Sequence, residues 1–437
     1  MKTNLPKPRL ASLLISFASC TFHKSKSLRC IQLPILVLAL MLSCTMCKKD
    51  LVFLSEDDVM DVLQNAEKVV PLAAEKDEIT ETTSSESDGY RYTYEKHDVV
   101  DNIESIVYLG LNDDIIWPGN LVKGNKAHDF IYEPISIDRE PITISISLES
   151  SSTGTEISHE VNDPKLSTVR QGISDLLKKA ITDDTNVPAK VEFSYQQVFS
   201  KSQMNMFVGA DISRGAGSLS TQFDWNQTSS KTRIMAKYKQ IYYSIDLDVP
   251  QSPLDFFSPS ITKNELAEAM GPGSMPLYVA GVSYGMMAIM CIESEYSYEE
   301  MKLAIDASYE KRDLDVDLGF GYTAKEVMQN SSIKIIVYGG STAGVSDLET
   351  GIEGFNNVID ASTEYSKDSP GVPLVYKFRH LVDNTLALVT LTSQYTMVSP
   401  LQLKQYVKIT VLSFECTMAN DDHWSLDGRD LEVDRFY

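Results

Sequence analysis

Cysteine is scarce in this chain. Six occur in 437 residues, four of them within the first 47, and only Cys291 and Cys416 lie downstream. That count argues against a disulfide framework and against a thiolate metal cluster. The six histidines are scattered, with no HExxH and no paired CxxC, so no metal and no cofactor is expected. Basic residues are also short: 39 Lys and Arg against 61 Asp and Glu leave a formal charge of −22, which repels nucleic acid. Beyond residue 47 no apolar run approaches the roughly 20 residues of a transmembrane helix. Any membrane crossing by the mature chain must then be made by strands. What is plentiful is apolar material, 43% of the residues, enough for a sizeable core.

The first 47 residues read as an export signal. "HKSKSLRC" is basic, "IQLPILVLALMLSC" is apolar, and small Ser43 precedes Cys44, the layout of a secretory leader. The "LSC" ending resembles a bacterial lipobox, which makes Cys44 the expected lipidated residue. Cys20, after "ISFA", is a competing site, and ordinary cleavage without lipid is the alternative. "CTMC" at Cys44–Cys47 has redox spacing but ends the apolar run, where processing explains it better. The protein is expected to be secreted or held at the outer surface as a lipoprotein.

Residues 48–95 are acidic and rich in Ser and Thr ("EKDEITETTSSESDG"), and read as a flexible linker, with one short helix at its start. "PITISISLES" alternates as a strand, and "DPKLSTVRQGISDLLKKAI" reads as a helix, with Asp163 near its start and Lys178 and Lys179 near its end. The segments "KVEFSYQQVFS", "RIMAKYKQIYYSIDLDV", "LYVAGVSYGMMAIMCIES" and "SSIKIIVYGG" are long, aromatic and β-rich. Long strands with interspersed helices, and no regular βαβ alternation, predict an α+β fold with a mostly antiparallel sheet.

Two segments fit two periods at once. In "YEEMKLAIDASYEKRDLDVDLGFGYTAKEV" a helical stripe runs through Met301, Ala304, Ile305, Ser308 and Tyr309. A strand face runs through Met301, Leu303, Ile305, Ala307 and Tyr309, and resumes at Leu314, Val316, Leu318 and Phe320. In "MNMFVGADI" the strand face is Met204, Met206, Val208, Ala210 and Ile212, and the helical stripe is Met204, Phe207, Val208 and Ile212. After the glycine-rich turn "SRGAGS", "LSTQFDWNQ" puts Leu219, Phe223 and Trp225 on one face. Runs of about nine to eleven residues match a tilted transmembrane strand. One hairpin alone leaves its edge groups unpaired in lipid, so closure of a barrel needs many chains. The expectation is a helical form before insertion and strands after it, with Asp224, Asp306, Asp315 and Asp317 facing the lumen. The alternative from pattern alone is an ordinary soluble sheet.

Seven stretches, "IWPGNLVKGNKAHDF", "REPITISISL", "DPKLSTVRQGISDLL", "QVFSKSQMNM", "AKYKQIYYSIDLDVPQSPLDFF", "PLYVAGVSYGMMAIMCIES" and "QNSSIKIIVYGG", follow one another between about 110 and 400. In order and spacing the chain resembles the cholesterol-dependent, or thiol-activated, cytolysins. The resemblance implies an elongated fold of the MACPF/CDC type. Its bent, twisted, mainly antiparallel sheet is flanked by helical clusters that refold into membrane hairpins, here about 203–227 and 299–325, within domains 1–3 spanning 96–400. It implies that Gly339 and Gly340 form a hinge where an edge strand moves aside. It implies a pore-forming toxin that oligomerises on a target membrane, either with itself or with a longer cytolysin-like subunit. The alternative is a non-lytic surface lipoprotein or adhesin that keeps the fold.

Some positions depart from the family pattern. Met286 stands where the family has Arg, and Ile333 where it has an aromatic. Residues 401–437 read as a short remnant in place of the fourth domain, and the tryptophan-rich loop "ECTGLAWEWWR" has no counterpart. The resemblance therefore does not extend to cholesterol recognition. Catalysis is not expected: "SYEK" at Ser308–Lys311 fits SxxK but has no SDN or KTG partner.

Overall fold

A computed structural model describes residues 54–66, 72–109, 114–148, 157–181, 190–213, 231–311, 314–339, 351–361, 371–403, 407–410, 415–417, 423–425 and 430–433. Cys20, Cys44 and the leader, Leu219, Phe223, Asp224, Trp225 and Gly340 lie outside the described residues.

Helix α1 (Glu56–Ala66) buries Val59, Val62 and Leu63 in the main core, and Lys263 pairs with its Asp61 at 2.7 Å and Asp58 at 3.5 Å. Strands β1 (Lys76–Ser87) and β2 (Tyr90–Ile103) then form an antiparallel hairpin. Its turn is Asp88–Gly89, with φ of 52° and 81°. Two successive left-handed residues of this type are the signature of the two-residue hairpin turn whose twist matches its strands. The expected linker over 48–95 is thus corrected where it is described. Polar composition suggested a stretch that could bury nothing, and β1 is indeed almost wholly exposed. An edge strand does not need burial, however: its ladder to β2 orders it, and its charges guard the open edge.

Strands β3 (Ile106–Val107), β4 (Leu121–Lys126), β5 (Ile131–Pro134), β6 (Ile142–Leu148) and β7 (Ser158–Val161) precede helix α2 (Leu166–Ala180). This helix presents Val169, Ile173 and Leu176 to the core. The long elements follow: β8 (Lys190–Gln197), α3 (Lys201–Val208), β9 (Thr232–Leu247), α4 (Lys263–Met270), β10 (Pro276–Ser294), α5 (Tyr298–Asp306), α6 (Ala324–Gln329), β11 (Ser332–Tyr338), α7 (Ile352–Ala361), β12 (Val372–His380) and β13 (Val389–Gln402).

One ten-stranded sheet runs β3-β12-β10-β9-β6-β7, with β8 added on β9, β11 and β4 on β10, and β5 on β4. Every pairing is antiparallel. A second sheet, β1-β2-β13, pairs β13 with β2 from Val389↔Ile103 to Gln402↔Tyr90. Short strands at Val407–Thr410 and Asp430–Val433, and at Glu415–Thr417 and His423–Ser425, form two further pairs.

The near-continuous apolar run of β10 explains its place at the centre, because a strand covered on both faces has no polar side to offer. Alternate residues go to different cores. Ile234, Ala236 and Tyr238 of β9, with Ala288, Met290 and Ile292 of β10, face a core shared with α5, α6 and α7. Met235, Met287, Ile289 and Cys291 face the opposite core, shared with Met204, Val208, Ala210 and Ile212. Among the described residues no helix is long and apolar enough to cross a membrane.

Candidate functional site: two long connections and a glycine changeover

Strands β8 and β9 are antiparallel neighbours, and so are β10 and β11. The first connection runs over 198–231 and the second over 295–331. Register places the ends together: Gln197 opposes Ile234, Thr232 opposes Ser294, and Glu293 opposes Ser332. Both connections therefore leave one end of the sheet, and each joins two strands that are already paired. Topologically each is the long loop of a hairpin. Drawn out, an arm of roughly 17 residues at about 3.3 Å each would reach about 55 Å, beyond the ~30 Å of a hydrocarbon core.

The first connection starts at α3, on the face of Met235 and Cys291. Ser200 caps it by accepting from the Gln203 N–H, a standard start signal. Gly209, at φ 73°, ends it and donates to the Asn205 carbonyl. Met204 and Val208 are buried and Met206 half-buried on the helix; Ala210 and Ile212 are buried just beyond it. The helix is held from three directions. The Ser202 hydroxyl lies 2.9 Å from that of buried Ser393 on β13. Lys237 of β9 donates to the Phe207 carbonyl at 2.8 Å, with its ammonium 4.9 Å from that ring's centre. Val107 N–H donates to the Gly209 carbonyl. Burial lowers the Lys237 pKa, and neighbouring Lys239 adds to that.

The second connection covers the opposite face. The Ser297 hydroxyl accepts from the Glu300 N–H while the Glu300 carboxylate accepts from the Ser297 N–H, a capping box that starts α5. Met301, Ala304, Ile305 and Ser308 are fully buried, whereas Leu303 is 40% exposed. Of the two stripes legible in the sequence, the folded protein uses the helical one. The helix widens into a π-turn over Ala307–Lys311, where the Ser308 hydroxyl donates to the Ala304 carbonyl at 2.6 Å. That buried hydroxyl is the serine of the SxxK sequence. Two contacts tie the segment to β8: Tyr195 donates to Asp306 at 2.6 Å, and Phe193 stacks on Tyr309 at 3.7 Å between centroids.

Residues 314–323 are not helical, which corrects the expectation of a helical form for the whole segment. Leu314, Val316 and Leu318 are half-buried against the main core while Asp315 and Asp317 are exposed. The backbone turns back through Leu318 N–H to Tyr322 O, Ala324 N–H to Val316 O and Lys325 N–H to Leu314 O. Alternating Asp and apolar residues leave no helical stripe to bury, so this stretch folds back as a tight loop closed by the Asp317–Thr323 bridge. Phe320 is 51% exposed between Gly319 and Gly321, both at φ +82°.

The edge of β10 changes partner midway. Residues 277–285 pair with β12 and residues 287–293 with β11, while β9 follows the other edge from Gly281 to Ser294 and slips register at Tyr284/Gly285. Three glycines meet at the changeover. Gly339 ends β11 at φ +75°, and a β-carbon there would stand 2.7 Å from the Gly285 carbonyl and 2.9 Å from Val372. Gly371 stands at φ +78°, where a β-carbon would come within 2.9 Å of the Gly285 backbone, and a β-carbon on Gly285 would overlap the Gln240 carbonyl. The sequence singled out Gly339–Gly340; it missed Gly285 and Gly371, which lie far apart in the chain. It also missed the serine and aromatic contacts, although the Phe193/Tyr195 alternation in "KVEFSYQQ" marks the inward face of β8.

The family model for thiol-activated cytolysin matches residues 56–399. The chain is 27% identical over 308 residues to tetanolysin of Clostridium tetani, covering 69% of this chain and 57% of that protein. It is 26% identical over 309 residues to pneumolysin of Streptococcus pneumoniae, covering 69% and 64%. It thus spans less than two thirds of either relative. The crystal structure of listeriolysin O superposes with a TM-score of 0.66 at 20% identity, over 86% of this chain and 81% of that one. The fold is accordingly the bent antiparallel α+β architecture of the MACPF/CDC type. With the match running across most of its length, the chain belongs to the thiol-activated cytolysin family.

Proposed function

We propose that this protein is a pore-forming, cytolysin-like toxin. Copies associate on a target membrane, and each contributes two amphipathic hairpins to a shared β-barrel. One observation carries the reading: both dual-period segments join neighbouring antiparallel strands at the same end of one sheet. Refolding therefore needs no new topology, only extension of ladders that already exist. In the barrel Met204, Met206, Val208, Ala210, Ile212, Leu219 and Phe223 of the first hairpin face lipid. So do Met301, Leu303, Ile305, Leu314, Val316, Leu318 and Phe320 of the second. Their neighbours Asp306, Asp315 and Asp317 face the lumen and favour cations. Gly339 and Gly340 form the hinge at which an edge strand moves aside, freeing the sheet edge to pair with β8 of the next subunit.

The chain is exported, with Cys44 as its lipid anchor, and acts as a homo-oligomer or with a longer cytolysin-like subunit; cholesterol is not assigned as its receptor. The test is dye release and conductance on liposomes and on bacterial membranes, with and without a longer family member. Cation-selective leakage with ring-shaped oligomers supports the reading. A chain that stays monomeric and silent on every membrane and with every partner ends it.

A further inference from the structure

We infer that the protein carries a binding site for a small soluble dianion, of the phosphate, sulfate or phosphomonoester class, in a cleft at the glycine changeover. The cleft has a volume of about 410 Å³ and takes its lining from β6, β8, β9, β10 and β12, together with Ser105 from the link between β2 and β3. Its floor is a row of residues in direct register: Ser147 opposes Ser244, Ser244 opposes Ser283, and Ser283 opposes Val375. Directly opposed residues share a face, so three hydroxyls from three neighbouring strands point the same way. Three lysines, Lys190, Lys239 and Lys377, also line it.

The charges do not cancel. Among the described residues Glu192 is the one carboxylate in the lining, and it is committed to Lys239 at 2.7 Å. That contact holds the Glu192 carboxyl below its ordinary range, with Lys237 and Lys190 adding to it. Asp246 stands beside the row and accepts from Ser244 at 2.6 Å, outside the lining. Lys190 and Lys377 have no carboxylate within ion-pair distance among the described residues. In a chain of net charge −22, a concave site with two such cations and the Ser147 and Ser283 hydroxyls on its floor selects a compact, multiply charged anion. Charge-assisted contacts to a dianion are the strong kind.

The site faces solution rather than lipid. Lys190 begins β8, and the chain departs for the first hairpin only after Gln197, about 23 Å further along the strand at 3.3 Å per residue. The binding does not rest on the proposed pore function.

The experiment is thermal unfolding of the soluble protein in inorganic phosphate against sodium chloride at equal ionic strength, with calorimetric titration. The expected result is a concentration-dependent rise in Tm with phosphate over chloride, and affinity at least tenfold weaker in Lys190→Ala/Lys377→Ala. Lys377→Arg, which keeps the charge, should retain binding and guards against a folding defect in the double variant. No rise over chloride overturns the site, and so does a rise that survives in the double variant. Flotation with phosphatidic acid vesicles that depends on both lysines, without a phosphate effect in solution, would overturn the soluble assignment. Because these readouts need no pore, their failure is distinct from failure of the proposed function.

Discussion

Gly339 turns the chain away from β10 directly over the carbonyl of Gly285, so closely that a β-carbon would sit 2.7 Å from that oxygen. The left-handed conformation alone costs a non-glycine residue about 1–2 kcal/mol, and the contact adds to it. Gly339→Ala should lower Tm by a few degrees in thermal unfolding, and Gly339→Val by more. Gly339→Asn, whose side chain tolerates this region better, should lie between the wild type and alanine. Unchanged stability in all three would remove the steric account of the changeover.

The 2.9 Å approach of Ser202 to Ser393 pins α3 to β13. Replacing both with cysteine places two thiols where a disulfide can close with little movement. Under oxidising conditions Ser202→Cys/Ser393→Cys should hold the first segment in place and abolish leakage, and a reductant should restore it. Full leakage with the disulfide verified by mass spectrometry would show that this helix need not leave.

The second segment has its own tether in Tyr195 and Asp306, 2.6 Å apart. Removing one partly buried hydrogen bond costs about 1 kcal/mol. Tyr195→Phe should therefore speed amide exchange over 298–311 roughly fivefold and leave α3 unaffected, as read by hydrogen-exchange mass spectrometry. Equal acceleration at both segments would mean that they are not released separately.

Cys291 offers a native reporter. It lies buried beneath Met204 and Val208, and burial pushes its thiol up to about 12. A maleimide should leave it unmodified in the soluble protein, since the thiolate is the reactive form. Peptide mapping should show it modified once the first segment departs on a membrane. Rapid labelling in the soluble state would contradict the packing.

His380 gives a pH prediction. Burial lowers its pKa, against the pull of the Asp383 carboxylate. The folded state thus binds this proton less readily than the unfolded chain, so stability is complete above about pH 6.5 and declines as pH falls below it. His380→Gln should flatten the change between pH 7 and 5.5 in denaturant titrations. An unchanged slope would place the dependence elsewhere.

Much of this architecture was legible in the sequence because the relevant signals are local. The β10 run, the α2 pattern and the double periodicity at Met301–Tyr309 all follow from side-chain order alone. The hairpin at Asp88–Gly89 was not recognised, because acidic composition outweighed a turn signal two residues long. The helical form expected of the whole segment stops short of residues 314–323, because their strand-like alternation suits half-burial in the folded protein as well as a membrane. Contacts such as Ser202–Ser393, or Gly285 with Gly371, depend on strand register between distant segments, and no single stretch contains them.

The most direct test of the central claim compares neighbours at Leu303 and Ala304. In the folded protein Leu303 is 40% exposed and Ala304 fully buried. A polarity-sensitive dye on single cysteines at 301 through 309 should report a helical period in solution. On membranes the period should become two, with position 303 moving into lipid and position 304 into water. Retention of the helical pattern on a membrane that the protein demonstrably permeabilises would contradict the refolding of this segment into a barrel strand.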